Sequence, residues 1–137
     1  MITKSITNSI VPETKRMAFV HKLFGIGYVI KLEPPVFTMA ERHAPQYTGG
    51  YWQFHEISNS GFYTSPSFDN EFDVFCENDF EGKLSPDAFD ITSYLYAFSH
   101  LSFGEDRLAQ VYADQYHLLR EYLFEHPKAS SILQAID

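Results

Sequence analysis

Tyr47 to Pro66 reads YTGGYWQFHEISNSGFYTSP, and this stretch decides the fold. Thr48-Gly49-Gly50 is a turn signal that leads into an aromatic run, Tyr51-Trp52-Gln53-Phe54-His55. Asn59-Ser60-Gly61 supplies a second turn, and Phe62-Tyr63-Thr64 is a second aromatic run. Aromatic side chains suit a pleated, half-buried surface, and two such runs flanking an Asn/Gly turn form an antiparallel hairpin. The pattern predicts that hairpin over residues 51–65.

Toward the C-terminus comes the clearest period-two pattern in the chain. Phe68, Phe72, Val74, Cys76 and Phe80 share one parity, and Asp69, Glu71, Asp73, Glu77, Asp79 and Glu81 the other. Side chains alternate across a strand, so this is β structure with one buried and one acidic face. It is a single strand, or it is broken by a turn at Asn78-Asp79; Gly82-Lys83-Leu84 finishes the sheet. Ser85-Pro86-Asp87 then starts a helix with an N-cap serine, a proline at the first helical position and an acid facing the dipole. Ala88, Ile91, Leu95 and Phe98 carry its apolar stripe, and Gly104 breaks it. Glu105-Asp106 opens a further helix with Leu108, Val111, Tyr112, Leu118, Leu119 and Tyr122 at helical spacing, ended at His126-Pro127. A short helix closes the chain near Ala129 to Ala135.

Toward the N-terminus, Pro34-Pro35 forms the first turn of a helix from Val36 to Ala44, stopped by Pro45. Tyr28 to Leu32 reads as a short extended piece. Pro12 opens a helix to about Phe24, with Gly25 just past its end and Met17, Val20 and Phe24 on one face. Residues 1–11 are polar and aperiodic and are expected to fray. The order of helices, a small antiparallel sheet (hairpin 51–65 plus strands over 68–84) and more helices makes an α+β protein, with residues 12–137 as one domain.

Composition narrows the function classes. The chain has 137 residues, enough for one domain with its own core, and 45% of them are hydrophobic. Thirteen Phe, nine Tyr and one Trp allow a dense aromatic core. Cys76 is the sole cysteine, so no internal disulfide forms, which favours a reducing compartment. No apolar run of signal-peptide length opens the sequence, and Leu23 to Leu32 contains Lys31 and is too short to span a bilayer. The expectation is a cytoplasmic protein without membrane contact. Net charge is −8 and uneven: +2 up to Phe68 and −10 from Asp69 onward. An acidic half repels nucleic acid, and no Lys or Arg stands between Arg42 and Lys83 to accompany the aromatics as a base-stacking site would require. Core packing accounts for those aromatics better, with Tyr51 or Tyr63 as the ones that could reach the surface.

Catalytic and metal patterns fail on spacing. Gly25-Ile26-Gly27 lacks the third glycine of a dinucleotide loop, since position 30 is Ile30. His55-Glu56 lacks the second histidine of HExxH, since position 59 is Asn59, and a strand does not provide the required helical face. A hydrolase built on His55 and Glu56 would need both side chains in one pocket with a third partner. Cys76 falls on the apolar parity and reads as an inert thiol. No catalytic residue, cofactor site or metal site is expected.

The blocks Tyr47-Thr48-Gly49-Gly50-Tyr51-Trp52-Gln53-Phe54, Glu56-Ile57-Ser58-Asn59 and Gly61-Phe62-Tyr63 together closely resemble the signature of the ArdB/KlcA antirestriction proteins. Arg16-Met17-Ala18-Phe19 with Phe24-Gly25, Asn78 through Ala88, Tyr116 through Tyr122, His126-Pro127 and the tail Ala135-Ile136-Asp137 are similar to further family blocks, so the resemblance covers nearly the whole chain. It implies a compact α+β domain carried by plasmids, prophages or genomic islands. It implies relief of type I restriction of incoming DNA, and a protein that is not an enzyme. Gly49, Gly50, Tyr51, Trp52, Phe54, Asn59, Gly61, Phe62 and Tyr63 are the signature positions, expected to serve the fold. Ser60 in the turn and the acidic 69–81 segment depart from the family pattern.

The expected mechanism is protein contact with a type I restriction-modification complex or a factor controlling it. The candidate surface is Asp69, Glu71, Asp73, Glu77, Asn78, Asp79, Glu81 and the C-terminal Asp137. The alternative is a DNA mimic that places this acidic surface in a DNA-binding groove. A solvated face that blocks edge-to-edge aggregation is the simpler account of the same charges.

Overall fold

One buried helix, α3 (Pro86–Ser102), organises the architecture. The computed structural model describes residues 6–25, 32–44, 52–66, 71–76, 78, 80–104 and 108–136. Ser85 caps α3, its hydroxyl accepting the Ala88 N–H at 3.2 Å, with Pro86 and Asp87 in the first turn as the sequence pattern demands. Residues 88–95 are buried on every side, with the polar Asp90, Thr92 and Ser93 among them. Thr92 and Ser93 survive there because their hydroxyls donate to the carbonyls of Ala88 (2.9 Å) and Phe89 (3.1 Å).

Around α3 pack α2 (Glu33–His43), α4 (Ala109–Leu123) and α5 (Ala129–Ile136). Pro34 and Pro35 begin α2 as expected, and α5 lies where the last apolar period places it. A 3₁₀ turn (Glu13–Lys15) leads into α1 (Arg16–Phe24), which ends at Gly25 with φ of +61°, the left-handed cap that favours glycine. Val20 and Phe24 enter the core, but Met17, one turn earlier, is 62% exposed.

The β structure forms two sheets rather than one. The hairpin is β2 (Trp52–Ile57) against β3 (Phe62–Pro66), with His55 opposite Tyr63. The acidic segment folds into a second antiparallel pair, β4 (Phe72–Phe75) and β5 (Glu81–Leu84). The turn at Asn78 therefore does interrupt the alternation. A strand the sequence conceals, β1 (Asn8–Ile10), pairs with β2 at its edge, Asn8 opposite Ile57 and Ile10 opposite His55. The expectation that residues 1–11 fray is corrected at these positions. Three residues carry no readable period, and what secures them is a side-chain partner set described below. Of the extended piece expected over Tyr28 to Leu32, Leu32 instead has helical backbone angles (φ −95°, ψ −50°) and caps α2, while 28–31 and the helix start at Glu105-Asp106 lie outside the described residues.

The core is an aromatic lattice. Phe24 meets Phe62 at 5.7 Å between ring centres, Phe62 meets Tyr94 edge-on at 5.8 Å, and Tyr94 meets Phe98 at 5.6 Å. Each such pair adds about 0.5–1.5 kcal/mol beyond area burial, and together they join α1, β3 and α3. No helix among the described residues is long and apolar enough to cross a membrane.

Candidate functional site

The β4–β5 pair sends Phe72, Val74 and Leu84 inward, where they are buried. Its outer face carries Glu71, Phe75, Glu81 and Lys83, all exposed, and the half-buried Asp73. Because the chain folds back, Asp73 lies opposite Lys83 and Phe75 opposite Glu81. The acids therefore flank one another across two strands, with a lysine and a phenylalanine among them. Phe75 shares the odd parity of the acids, so the alternation alone already puts it on their face. Asp69, Glu77, Asp79 and Asp137 lie outside the described residues.

Asn78 does more than turn the chain. Its Oδ1 accepts the Phe80 N–H at 3.0 Å, and its Nδ2 donates to the carbonyls of Gln134 (3.0 Å) and Ala135 (3.1 Å). The Tyr96 hydroxyl also donates to the Ala135 carbonyl at 2.6 Å. The last carbonyls of a helix lack intrahelical donors, and here two side chains supply them. The acidic pair is thereby pinned beside the C-terminal end of α5. Cys76 is half-buried, packed against the core.

A second constellation, absent from the sequence reading, centres on Asp87. Tyr63 donates to its Oδ1 at 2.6 Å, and His126 Nε2 donates to Oδ2 at 2.7 Å. Asn8 Nδ2 donates to the Tyr63 hydroxyl (2.7 Å) and to the Tyr122 hydroxyl (3.1 Å). That fixes the Asn8 amide, so its Oδ1 accepts from His55 Nδ1 at 2.9 Å. With the His55 proton on Nδ1, Nε2 accepts from Ser65 Oγ at 2.6 Å. The Lys128 N–H donates to His126 Nδ1 at 3.0 Å, which puts that ring's proton on Nε2. The donors and acceptors are thus satisfied with both imidazoles neutral and one ionised carboxylate.

Burial pushes the Asp87 carboxyl up, but hydrogen bonds from His126 and Tyr63 hold it below its ordinary value. Burial lowers His55, and Asp87, 4.0 Å from Nε2, only partly offsets this. The Tyr63 hydroxyl is raised by burial and by Asp87. His55 and Glu56 do not converge: adjacent strand residues face opposite ways, His55 buried and Glu56 exposed. Among the described residues no three of His, Cys, Asp and Glu are grouped to hold a metal ion.

The signature residues divide along the hairpin. Phe62 and Tyr63 are fully buried, so Tyr63 does not reach the surface. Tyr63 stacks on His55 at 4.4 Å, and half-buried Phe54 meets Phe62 at 5.9 Å while the Arg16 guanidinium lies over the Phe54 ring, 5.3 Å from its centre. Asn59 Oδ1 accepts the Gly61 N–H (2.9 Å), and its Nδ2 donates to the Leu118 carbonyl of α4 (2.8 Å). Gln115 Nε2 donates to the Ser60 carbonyl at 3.0 Å. A Cβ on Gly61 would meet Asn59 Oδ1 at 3.0 Å and Ile57 Cδ1 at 3.2 Å, so a side chain there would press on the asparagine that holds the turn. Trp52 opens β2 opposite Pro66. Gly49, Gly50 and Tyr51 lie outside the described residues.

This α+β arrangement is the architecture of the KlcA and ArdB proteins. Their solved structure, described as a novel fold with antirestriction activity against type I DNA restriction systems in vivo but not in vitro, matches with a TM-score of 0.89 at 32% identity, covering 100% of both chains. An antirestriction protein KlcA of Escherichia coli is 34% identical over 136 residues, 96% of this chain and 95% of its own length. The uncharacterised protein YafX of Escherichia coli K12 is 35% identical over 136 residues, 96% of this chain and 88% of its own. The family model described as antirestriction protein matches residues 45–137. The chain belongs to the antirestriction protein family, which acts against type I restriction systems.

Proposed function

We propose that this chain relieves type I restriction of incoming foreign DNA by protein contact rather than by catalysis, in the cytoplasm where entering DNA meets the restriction complex. The carrying observation is the full-length match to KlcA and ArdB, whose activity is found in vivo but not in vitro. A mimic of DNA would be expected to inhibit a purified restriction enzyme directly. Activity confined to cells supports contact with the complex in its cellular state, or with a factor controlling it. The outer face of β4–β5 favours the same reading, because Lys83 and Phe75 interrupt its acids, which suits a protein surface better than a row of phosphates.

The contact surface is Asp69, Glu71, Asp73, Glu77, Asn78, Asp79, Glu81 and Asp137, and Asn78 holds its turn against α5. A non-catalytic role is supported by Asp87, whose two oxygens are both occupied, and by the two imidazoles, each of which spends both ring nitrogens within the protein. The test is plating of unmodified phage on a host with an active type I system, with and without this protein, scoring modification in the same cells. Restored plating with modification intact is the expected result. Unchanged plating with soluble, folded protein would reject the reading.

A further inference from the structure

Phe75 is 47% exposed, yet it projects from a paired strand among charged neighbours. The other strongly exposed aromatics among the described residues differ in setting. Phe103 stands at the end of α3, and Arg120 already lies 5.9 Å over the Phe124 ring. Phe75 faces Glu81 directly across the pair, with Asp73 two residues away on the same strand face and Glu71 beyond it. Strand residues two apart are separated by about 6.6–6.8 Å, so a ring and two carboxylates lie within reach of a single incoming side chain. Lys83 sits opposite Asp73 rather than opposite Phe75. The hydrogen bonds from Asn78 to Gln134 and Ala135 anchor the adjoining turn, so little ordering is required when something binds.

Resting on the contact reading above, we infer that the outer face of β4–β5 is an aromatic-anchored dock for an arginine on a basic protein partner. Guanidinium is planar. It can lie flat on the Phe75 ring while its N–H fork turns to the carboxylate of Glu81 or Asp73, a combination an ammonium reproduces less well. A second copy of this chain is a poor occupant, because a net charge of −8 sets like against like. Nucleic acid is repelled for the same reason. Aromatic side chains at the centre of a patch with a charged rim supply much of an interface's binding energy.

The probe is a ten-residue arginine peptide against a ten-residue lysine peptide of equal charge, each titrated into the isotope-labelled full chain at physiological salt. Expected are chemical-shift changes centred on Phe75, Asp73 and Glu81, and tighter binding of the arginine peptide. Phe75→Ala should weaken arginine binding about two- to fivefold and erase its advantage over lysine, whereas Phe75→Trp keeps both. Because Phe75 is exposed, neither variant should lower Tm appreciably. Equal affinity of the two peptides, equal affinity of wild type and Phe75→Ala, shifts centred elsewhere, or self-association through this face each overturn the inference. Plating separates the two levels. If wild type relieves restriction and Phe75→Ala relieves it equally, the dock is wrong and the antirestriction reading stands. If wild type fails to relieve restriction, the antirestriction reading falls, and the peptide titration decides the dock alone.

Discussion

Ser60 has φ of +79°, the sole positive value on a non-glycine residue among the described residues. A Cβ crowds the backbone in that region, at a cost of roughly 1 kcal/mol. Its carbonyl takes the Gln115 donor whatever the side chain. Ser60→Gly should therefore stabilise by about 0.5–1 kcal/mol, visible as a rise in Tm of a few degrees, while Ser60→Ala gains nothing. Ionisation acts in both directions. Folded Asp87 lies below its unfolded value, so it adds stability above the ordinary carboxylate range that is lost as pH falls through it. His55, also lowered, works the same way from about pH 6.5 downward, because the unfolded chain takes up the proton first. Asp90 works oppositely. Both its oxygens are buried without a hydrogen-bond partner, and burial and the charge of Asp87 raise it well above the usual range. The folded state then holds the proton more tightly, so this group removes stability as pH rises above about 4. Asp90→Asn should melt above wild type at pH 8, with the gap closing toward pH 4. Thermal melts across that range check this, and a gap independent of pH would refute ionisation as its cause.

At the scale of elements, legibility followed locality. The hairpin, the Ser85 cap, the proline start of α2 and the Gly25 exit were legible because each is determined within four or five residues. The strand β1 and the cluster around Asp87 were not, because their defining contacts join Asn8 to His55, Tyr63 and Tyr122, separations of 47 to 114 residues. Ser65 and His126 carry no local mark of their roles either. The Ser-Pro-Asp pattern explains Asp87 through the helix dipole, but its partners Tyr63 and His126 come from distant parts of the chain. Alternation in the acidic segment predicts a face and is silent on where the chain reverses. Asn78 determines that reversal and binds it to α5. Asn78→Ala should cost about 1–2 kcal/mol by stripping donors from two helix-end carbonyls and one turn acceptor. Amide exchange should quicken in β4, β5 and the end of α5 and stay unchanged in the β2–β3 hairpin. Uniform quickening would mean that the turn is not a separate anchor.

Across the whole molecule, the uneven charge gives the acidic face two separable effects. Fourteen of the eighteen acidic residues stand from Asp69 onward, so that half folds against its own repulsion, and added salt should raise Tm by screening it. The same field would draw a basic partner and increase its rate of encounter. Glu71→Lys with Glu81→Lys changes the net charge from −8 to −4 and touches only exposed side chains. Exposed substitutions usually shift stability by no more than about 0.5 kcal/mol, and relief of repulsion opposes even that loss. The double variant should therefore melt with wild type while its relief of restriction in the plating assay drops sharply. Protein contact and DNA mimicry agree on that loss, and salt separates them. A packed interface anchored by an aromatic ring loses affinity gradually with ionic strength, whereas an occupant of a DNA groove held by charge alone loses it steeply. Once a partner is in hand, binding measured from 50 to 200 mM salt decides between them. A fall approaching the thousandfold typical of several phosphate contacts would favour mimicry, and a fall of only a few-fold would place the energy in the packed face.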